Sequence, residues 1–153
     1  MDIEQKTKKS EILQLVTFMI GNEEFAVDIL YVQEINRMIS ITRVPNSPDY
    51  VEGVINLRGR VIPVVDMRLK LGIEKKSFDH NTRIVVVDVN STVLGFIVDA
   101  VKEVLRIPAE VIEIPPELIS GVNKDYIKAV GKLEDRLIIL IDLDKIFENA
   151  KSV

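Results

Sequence analysis

The 153-residue sequence predicts a mostly β protein made of two small antiparallel barrels with short helices, and three observations carry that expectation. The first is composition. Hydrophobic residues make up 47% of the chain but aromatic residues only 5%, and Trp is absent, so the core must be built from Val, Ile and Leu. A branched Cβ is stiff in a helix and packs well on a pleated surface, which favours strands. The second is punctuation, because short aliphatic runs alternate with turn residues and no long helical pattern stands between them. The third is an internal repeat, in which the second half reproduces the order of elements of the first.

The elements follow in order. Met1 to Ser10 is polar and lysine-bearing, so a flexible terminus is expected over residues 1–13 and a single folded domain over 14–153. Gln14 to Ile20, the turn Gly21-Asn22-Glu23-Glu24 and Phe25 to Ile29 read as a hairpin. Leu30 to Met38 then changes period. Val32 and Ile35 stand three apart, as one face of a helix requires, so a short helix is expected. Pro45 and Pro48 mark a loop. Val54 to Leu57 and Val61 to Val65 read as strands around Arg58-Gly59. Asp66 is placed to cap a helix over Met67 to Leu71, with Gly72 closing it in the left-handed conformation.

After the polar stretch Glu74 to Asn81 the pattern starts again. Ile84 to Val89, Asn90-Ser91 and Val93 to Val98 form a second hairpin. Val101, Glu103, Val104 and Arg106 then repeat Val32, Glu34, Ile35 and Arg37 at an offset of 69 residues (32 to 101, 34 to 103). Val130, Leu133, Arg136, Ile138 and Asp142 repeat Val54, Leu57, Arg60, Ile62 and Asp66 at an offset of 76 (54 to 130, 66 to 142). The difference falls in a loop through Pro115, Pro116 and Gly121, and Asp142 with Leu143 to Phe147 closes the repeat. The approximate halves are 14–72 and 83–147.

The functions this sequence argues against are several. A net charge of −4 and a pI near 5.1 reverse the basic excess of nucleic-acid binders. A stacking platform for single strands is thin too, with 5 Phe and 3 Tyr. The chain has no cysteine, no apolar run of signal-peptide kind and no stretch near the ~20 apolar residues of a membrane helix, so a cytoplasmic protein without membrane insertion is expected. The single histidine, His80, lies among loop residues, and neither a nucleophile partner nor a metal-ligand spacing accompanies it. The 7 glycines spell no phosphate-binding loop. Asp66 and Asp142 could be imagined as general acid and base, but capping accounts for both. No enzyme, cofactor or metal is expected.

What remains is surface detail. The turn Asn56-Leu57-Arg58-Gly59-Arg60 reads equally as a solvated tip or as a device offering the Arg58 fork to a partner carboxylate. Val32 and Ile35 either pack inward or, facing out with Glu34 beside Arg58, form an apolar patch rimmed by charge.

Several segments resemble one known family. Phe25-Ala26-Val27-Asp28-Ile29, Val32-Gln33-Glu34-Ile35, Val44-Pro45 with Pro48, and the run Val51 to Asp66, whose Asn-Leu-Arg-Gly is followed by apolar-Pro-apolar-apolar-Asp, are similar to the CheW family of bacterial chemotaxis coupling proteins. Gly95-Phe96-Ile97-Val98-Asp99 with Val101, Val104 and Leu105 resembles the family's second half, and the likeness spans residues 14 to 147. It implies two intertwined, pseudo-symmetric five-stranded barrels of SH3 type. It implies an adaptor that couples chemoreceptors to the histidine kinase CheA, binding the receptor's cytoplasmic tip and the kinase's regulatory domain within membrane-associated arrays. A coupling protein of the same family serving a non-chemotactic pathway is the alternative. Val32, Glu34, Gly53 and Arg58 match receptor-binding positions on one wall of a groove, and Val101 and Val104 match positions near the other. Kinase contacts are not assigned to residues. Glu134-Asp135 departs from the pattern, standing where the first half has Arg58-Gly59.

Overall fold

The computed structural model describes residues 11–113 and 124–148. The expected loop through Pro115, Pro116 and Gly121 lies outside them, as does most of the expected flexible terminus. The first strand begins at Ile12, earlier than the boundary at residue 14 that composition suggested.

The strands are β1 (Ile12–Ile20), β2 (Glu23–Asp28), β3 (Val32–Arg37), β4 (Val51–Leu57), β5 (Arg60–Asp66), β6 (Arg83–Val89), β7 (Thr92–Val98), β8 (Ala100–Pro108), β9 (Ile112–Glu113), β10 (Ile127–Leu133) and β11 (Arg136–Ile141). Two short helices, α1 (Met67–Lys70) and α2 (Leu143–Ile146), follow β5 and β11. They form two sheets, one ordered β3-β6-β7-β5-β4 and the other β8-β1-β2-β11-β10-β9. The repeat carries β3 onto β8, β6 onto β1, β7 onto β2, β5 onto β11 and β4 onto β10, so the first order becomes the second. Each sheet therefore takes a hairpin from the opposite half of the sequence. The barrels are intertwined.

One barrel has a sixth strand. The two-residue β9 pairs with β10, and its counterpart in the first half is the isolated bridge Thr42–Val54.

Three apolar clusters follow from strand alternation. Leu15, Ala26, Ile107, Ala129, Ile138 and Leu140 fill one barrel. Ile55, Ile62, Val64, Ile84, Val86 and Ile97 fill the other. The opposite faces of the same strands, with Phe18, Phe25, Val85, Val87, Phe96 and the helix residues Met67, Leu71, Leu143 and Ile146, make a larger core between the barrels. Phe18 lies against both Phe25 and Phe96. Lys70 Nζ sits 4.0 Å from the Tyr50 ring centroid and 5.5 Å from that of Tyr126, two tyrosines related by the repeat.

The turn chemistry is as the sequence requires. Asn90 and Ser91 both have positive φ in the tight β6–β7 turn, and Gly72 ends α1 at φ +80°. Asp66 Oδ1 accepts from Arg68 N at 3.0 Å and Asp142 Oδ1 from Lys145 N at 3.1 Å, so both aspartates are helix caps.

The expected helix over Leu30 to Met38 is not there. A single 3-10 turn, Ile29–Tyr31, capped by Asp28, leads straight into β3. The three-residue spacing has another cause. Val32 opposes Val87 and Glu34 opposes Val86, so Gln33 is the extra residue of a β-bulge. The bulge returns Val32 and Ile35 to one face, because both then oppose residues of the inter-barrel core, Val87 and Val85.

Candidate partner-binding surface

β3 is an edge strand of its sheet, and its bulge sorts its side chains. Val32 packs partly buried against the inter-barrel core. Ile35, on the same face, is exposed. Glu34 opposes Val86, a residue of the barrel interior, and so projects at the barrel's mouth beneath the β4–β5 hairpin.

The tip of that hairpin places Arg58. Arg58 and Gly59 have φ of 52° and 83°, the left-handed pair that a two-residue turn demands. Glycine takes this conformation freely, and Arg58 takes it at a cost that the turn imposes. Asn56 Oδ1 locks the turn by accepting from Gly59 N at 3.0 Å. Arg58 Nη2 then donates to Glu34 Oε2, while Asn36 Nδ2 donates to Glu34 Oε1 at 2.9 Å. Hydrogen bonds from Arg58 and then Asn36 hold the Glu34 carboxyl below the ordinary carboxylate range. The Arg58 side chain remains 71% exposed. A guanidinium with one carboxylate partner and open donors is available for a second.

Gly53 lies elsewhere. It is buried, and a Cβ built on it meets Thr42 O at 2.2 Å and Ile41 Cγ2 at 2.8 Å. It supports the strand that carries the Arg58 turn and presents no side chain.

β8 repeats β3 on the other sheet, where it is again an edge strand. Val101 opposes Phe18 and Val104 opposes Val16, with the bulge at Lys102 between Thr17 and Phe18. Both valines thus share the inter-barrel face, Val101 packed on that core and Val104 52% exposed. The structure brings Glu34 and Arg58 into contact and sets Val32 and Val101 against one core. β3 and β8 are not neighbours in either sheet.

The second barrel's mouth holds a larger cluster of charges than the Glu34–Arg58 pair of the first. Glu24, only 7% exposed, receives Arg136 Nε at 3.2 Å and Arg136 Nη2 at 2.6 Å, with Lys102 Nζ 3.5 Å away. Arg136 also reaches Glu103 Oε2 at 2.9 Å. Glu103 is the repeat equivalent of Glu34, so each mouth pairs that glutamate with a different arginine. Among the described residues, no group of three His, Cys, Asp or Glu side chains is placed to hold a metal ion, and no helix is long and apolar enough to cross a membrane.

Comparison with known proteins places this architecture. The CheW-like domain family model matches residues 14–151. The chain belongs to the CheW-like family. It is 38% identical over 136 residues to the chemotaxis protein CheW of Klebsiella aerogenes, covering 89% of this chain and 82% of that protein. It is 40% identical over 138 residues to the chemotaxis protein CheW of Helicobacter pylori, covering 90% and 83%. The crystal structure of the scaffolding protein TtCheW from Thermoanaerobacter tengcongensis superposes with a TM-score of 0.86 at 36% identity, covering 94% of this chain and 98% of that one.

Two features of this CheW-like chain have no clear mark in the residues alone. Leu30, on the 3-10 turn beside Val32, is 89% exposed. Arg68, in the same short helix as the cap recognised at Asp66, makes a bidentate pair with Asp99. The signal for Arg68 was its place directly after a capped helix start, where composition alone reads as solvated charge.

Proposed function

We propose that this protein is a non-catalytic chemotaxis adaptor that couples transmembrane chemoreceptors to the histidine kinase CheA. The receptor's helical cytoplasmic tip docks along the groove beside β3 and β8, using Val32, Glu34, Arg58, Val101 and Val104, with Gly53 supporting the Arg58 strand. The kinase's regulatory domain binds elsewhere on the chain. The adaptor works in the cytoplasm, recruited to receptor arrays at the membrane, and the kinase supplies the chemistry. The observation that carries this reading is the Arg58 turn: a left-handed arginine stands exposed, tied by one end to Glu34 on the edge strand β3, which also carries half-buried Val32 and exposed Ile35. That is an apolar patch rimmed by charge, the make-up of a protein-binding surface.

Arg58→Ala is the direct test. The pair with Glu34 lies at the surface and contributes little to folding, so the circular dichroism spectrum and Tm of the variant stay those of the wild type. Pull-down by a receptor cytoplasmic fragment falls, and receptor-dependent stimulation of kinase output falls with it. Full receptor binding by a folded Arg58→Ala variant would overturn the assignment.

A further inference from the structure

The two ladders of β8 are unequal. On one side of the bulge, Ile12 to Thr17 pair continuously with Pro108 to Glu103. On the other side only Phe18 with Val101 and Met19 with Ala100 remain. Two residue pairs beyond a break in register hold a strand weakly. Asp99, immediately before this stretch, is gripped by several groups. Arg68 Nε donates to its Oδ1 at 2.9 Å and Arg68 Nη2 to its Oδ2 at 2.7 Å. Gly21 N donates to Oδ2 at 2.8 Å, and Asp99 N donates to Met19 O at 3.0 Å. Arg68 is itself braced by Glu74 O at 2.8 Å. Both side chains of the pair are about 85% buried, at 15% and 16% exposure.

The repeat supplies an internal control. Its offsets carry Asp99 to Leu30, Arg68 to Asp144 and Gly21 to Asn90. At that corner Leu30 is exposed, and among the described residues Asp144 receives only Asn90 Nδ2 at 3.0 Å and the Tyr31 hydroxyl at 3.4 Å. Among the described residues the fold thus builds the same corner without an ion pair, so the pair serves something local to β8.

We propose that Arg68 is a positioning residue for the receptor-facing wall: its fork on Asp99 fixes the short stretch of β8 that carries Val101. This rests on the receptor reading of the groove, and the test separates the two. Hydrogen exchange by mass spectrometry is measured on full-length Arg68→Met, Arg68→Lys and the charge-swapped Arg68→Asp/Asp99→Arg, alongside affinity for a receptor cytoplasmic fragment. Arg68→Met speeds exchange over Ala100–Lys102 about tenfold or more, as loss of a charge-assisted buried pair predicts, and leaves Val104–Ile107 protected. Arg68→Lys, which keeps the charge without the fork, gives a smaller rise, and the swap restores protection. Receptor affinity of Arg68→Met falls about tenfold, Val101→Ala adds little to that loss, and Val104→Ala adds its full effect. A uniform rise in exchange, or none, overturns the proposal, as does full additivity with Val101→Ala. If the wild type fails to bind the receptor fragment, the receptor reading falls, and selective loosening over Ala100–Lys102 still decides whether Arg68 positions the strand.

Discussion

Glu24 and Glu34 show how differently two paired carboxylates behave at a barrel's mouth. Burial of Glu24 raises its pKa, but hydrogen bonds from Arg136 and Thr17 and the charges of Arg136 and Lys102 outweigh burial and leave it lowered. A carboxyl lowered on folding adds stability that is fully present above its unfolded pKa, about 4.3, and is lost as pH falls through the folded value. Glu24→Gln should therefore be less stable than the wild type at pH 7, with the gap closing in acid; urea titrations at several pH values measure it. Arg136→Met leaves the buried Glu24 with only the longer Lys102 contact and should cost about 2–3 kcal/mol. Glu34 is lowered as well, by Arg58 and Asn36, but at the rim. It is ionised throughout the neutral range, so receptor binding should be flat between about pH 6 and 8 if the Glu34–Arg58 pair governs it. Anisotropy titrations with a labelled receptor fragment would show a slope if another group did.

At the scale of elements, the bulges decide what was legible in the sequence. The hairpins, the Asp66 and Asp142 caps and the Gly72 stop each have local chemistry, and each stands where the residues put it. Glu34 beside Arg58 was only one of two readings of those residues, because the expected helix left open which way Glu34 faces. The Leu30 to Met38 helix misled because a bulged strand repeats its face at three residues where a regular strand repeats at two. Val101 and Val104 carry the same spacing for the same reason. Close backbone approach was equally hidden: nothing local to Val-Glu-Gly-Val announces that Thr42 will cross above Gly53. Gly53→Ala should accordingly cost about 2 kcal/mol or more, since the obstacle is a carbonyl that cannot step aside. Gly59→Ala, at φ +83° with open space around it, should cost about 1 kcal/mol, the price of the left-handed backbone alone. Paired denaturation curves rank the two.

For the whole molecule, the repeat was readable from the residues alone, whereas the exchange of hairpins came only with the family resemblance. The offsets of 69 and 76 are the same whether each half closes on its own strands or on its partner's, because side-chain alternation does not record which ladder a strand joins. The halves 14–72 and 83–147 are units of sequence, and the sheets cut across them. The large core between the barrels draws Phe18 and Phe25 from one half and Phe96 and Phe147 from the other. Unfolding should therefore be a single transition with coincident fluorescence and circular dichroism midpoints, and a fragment of residues 14–72 should stay unfolded. Phe18→Ala, which opens the centre of that core, should cost about 3–5 kcal/mol; separate transitions for the two barrels would contradict the shared core.

The intertwining also bears on how the chain is made. β1 and β2 leave the ribosome first, yet their lateral neighbours β8 and β11 are among the last strands synthesised. No sheet can be completed on the nascent chain until β7 has emerged for one and β11 for the other. Until then an aliphatic hairpin waits with both edges unpaired, in the form most open to misassociation with a neighbouring nascent chain. The geometry that binds the mature halves together makes their synthesis the protein's most exposed moment.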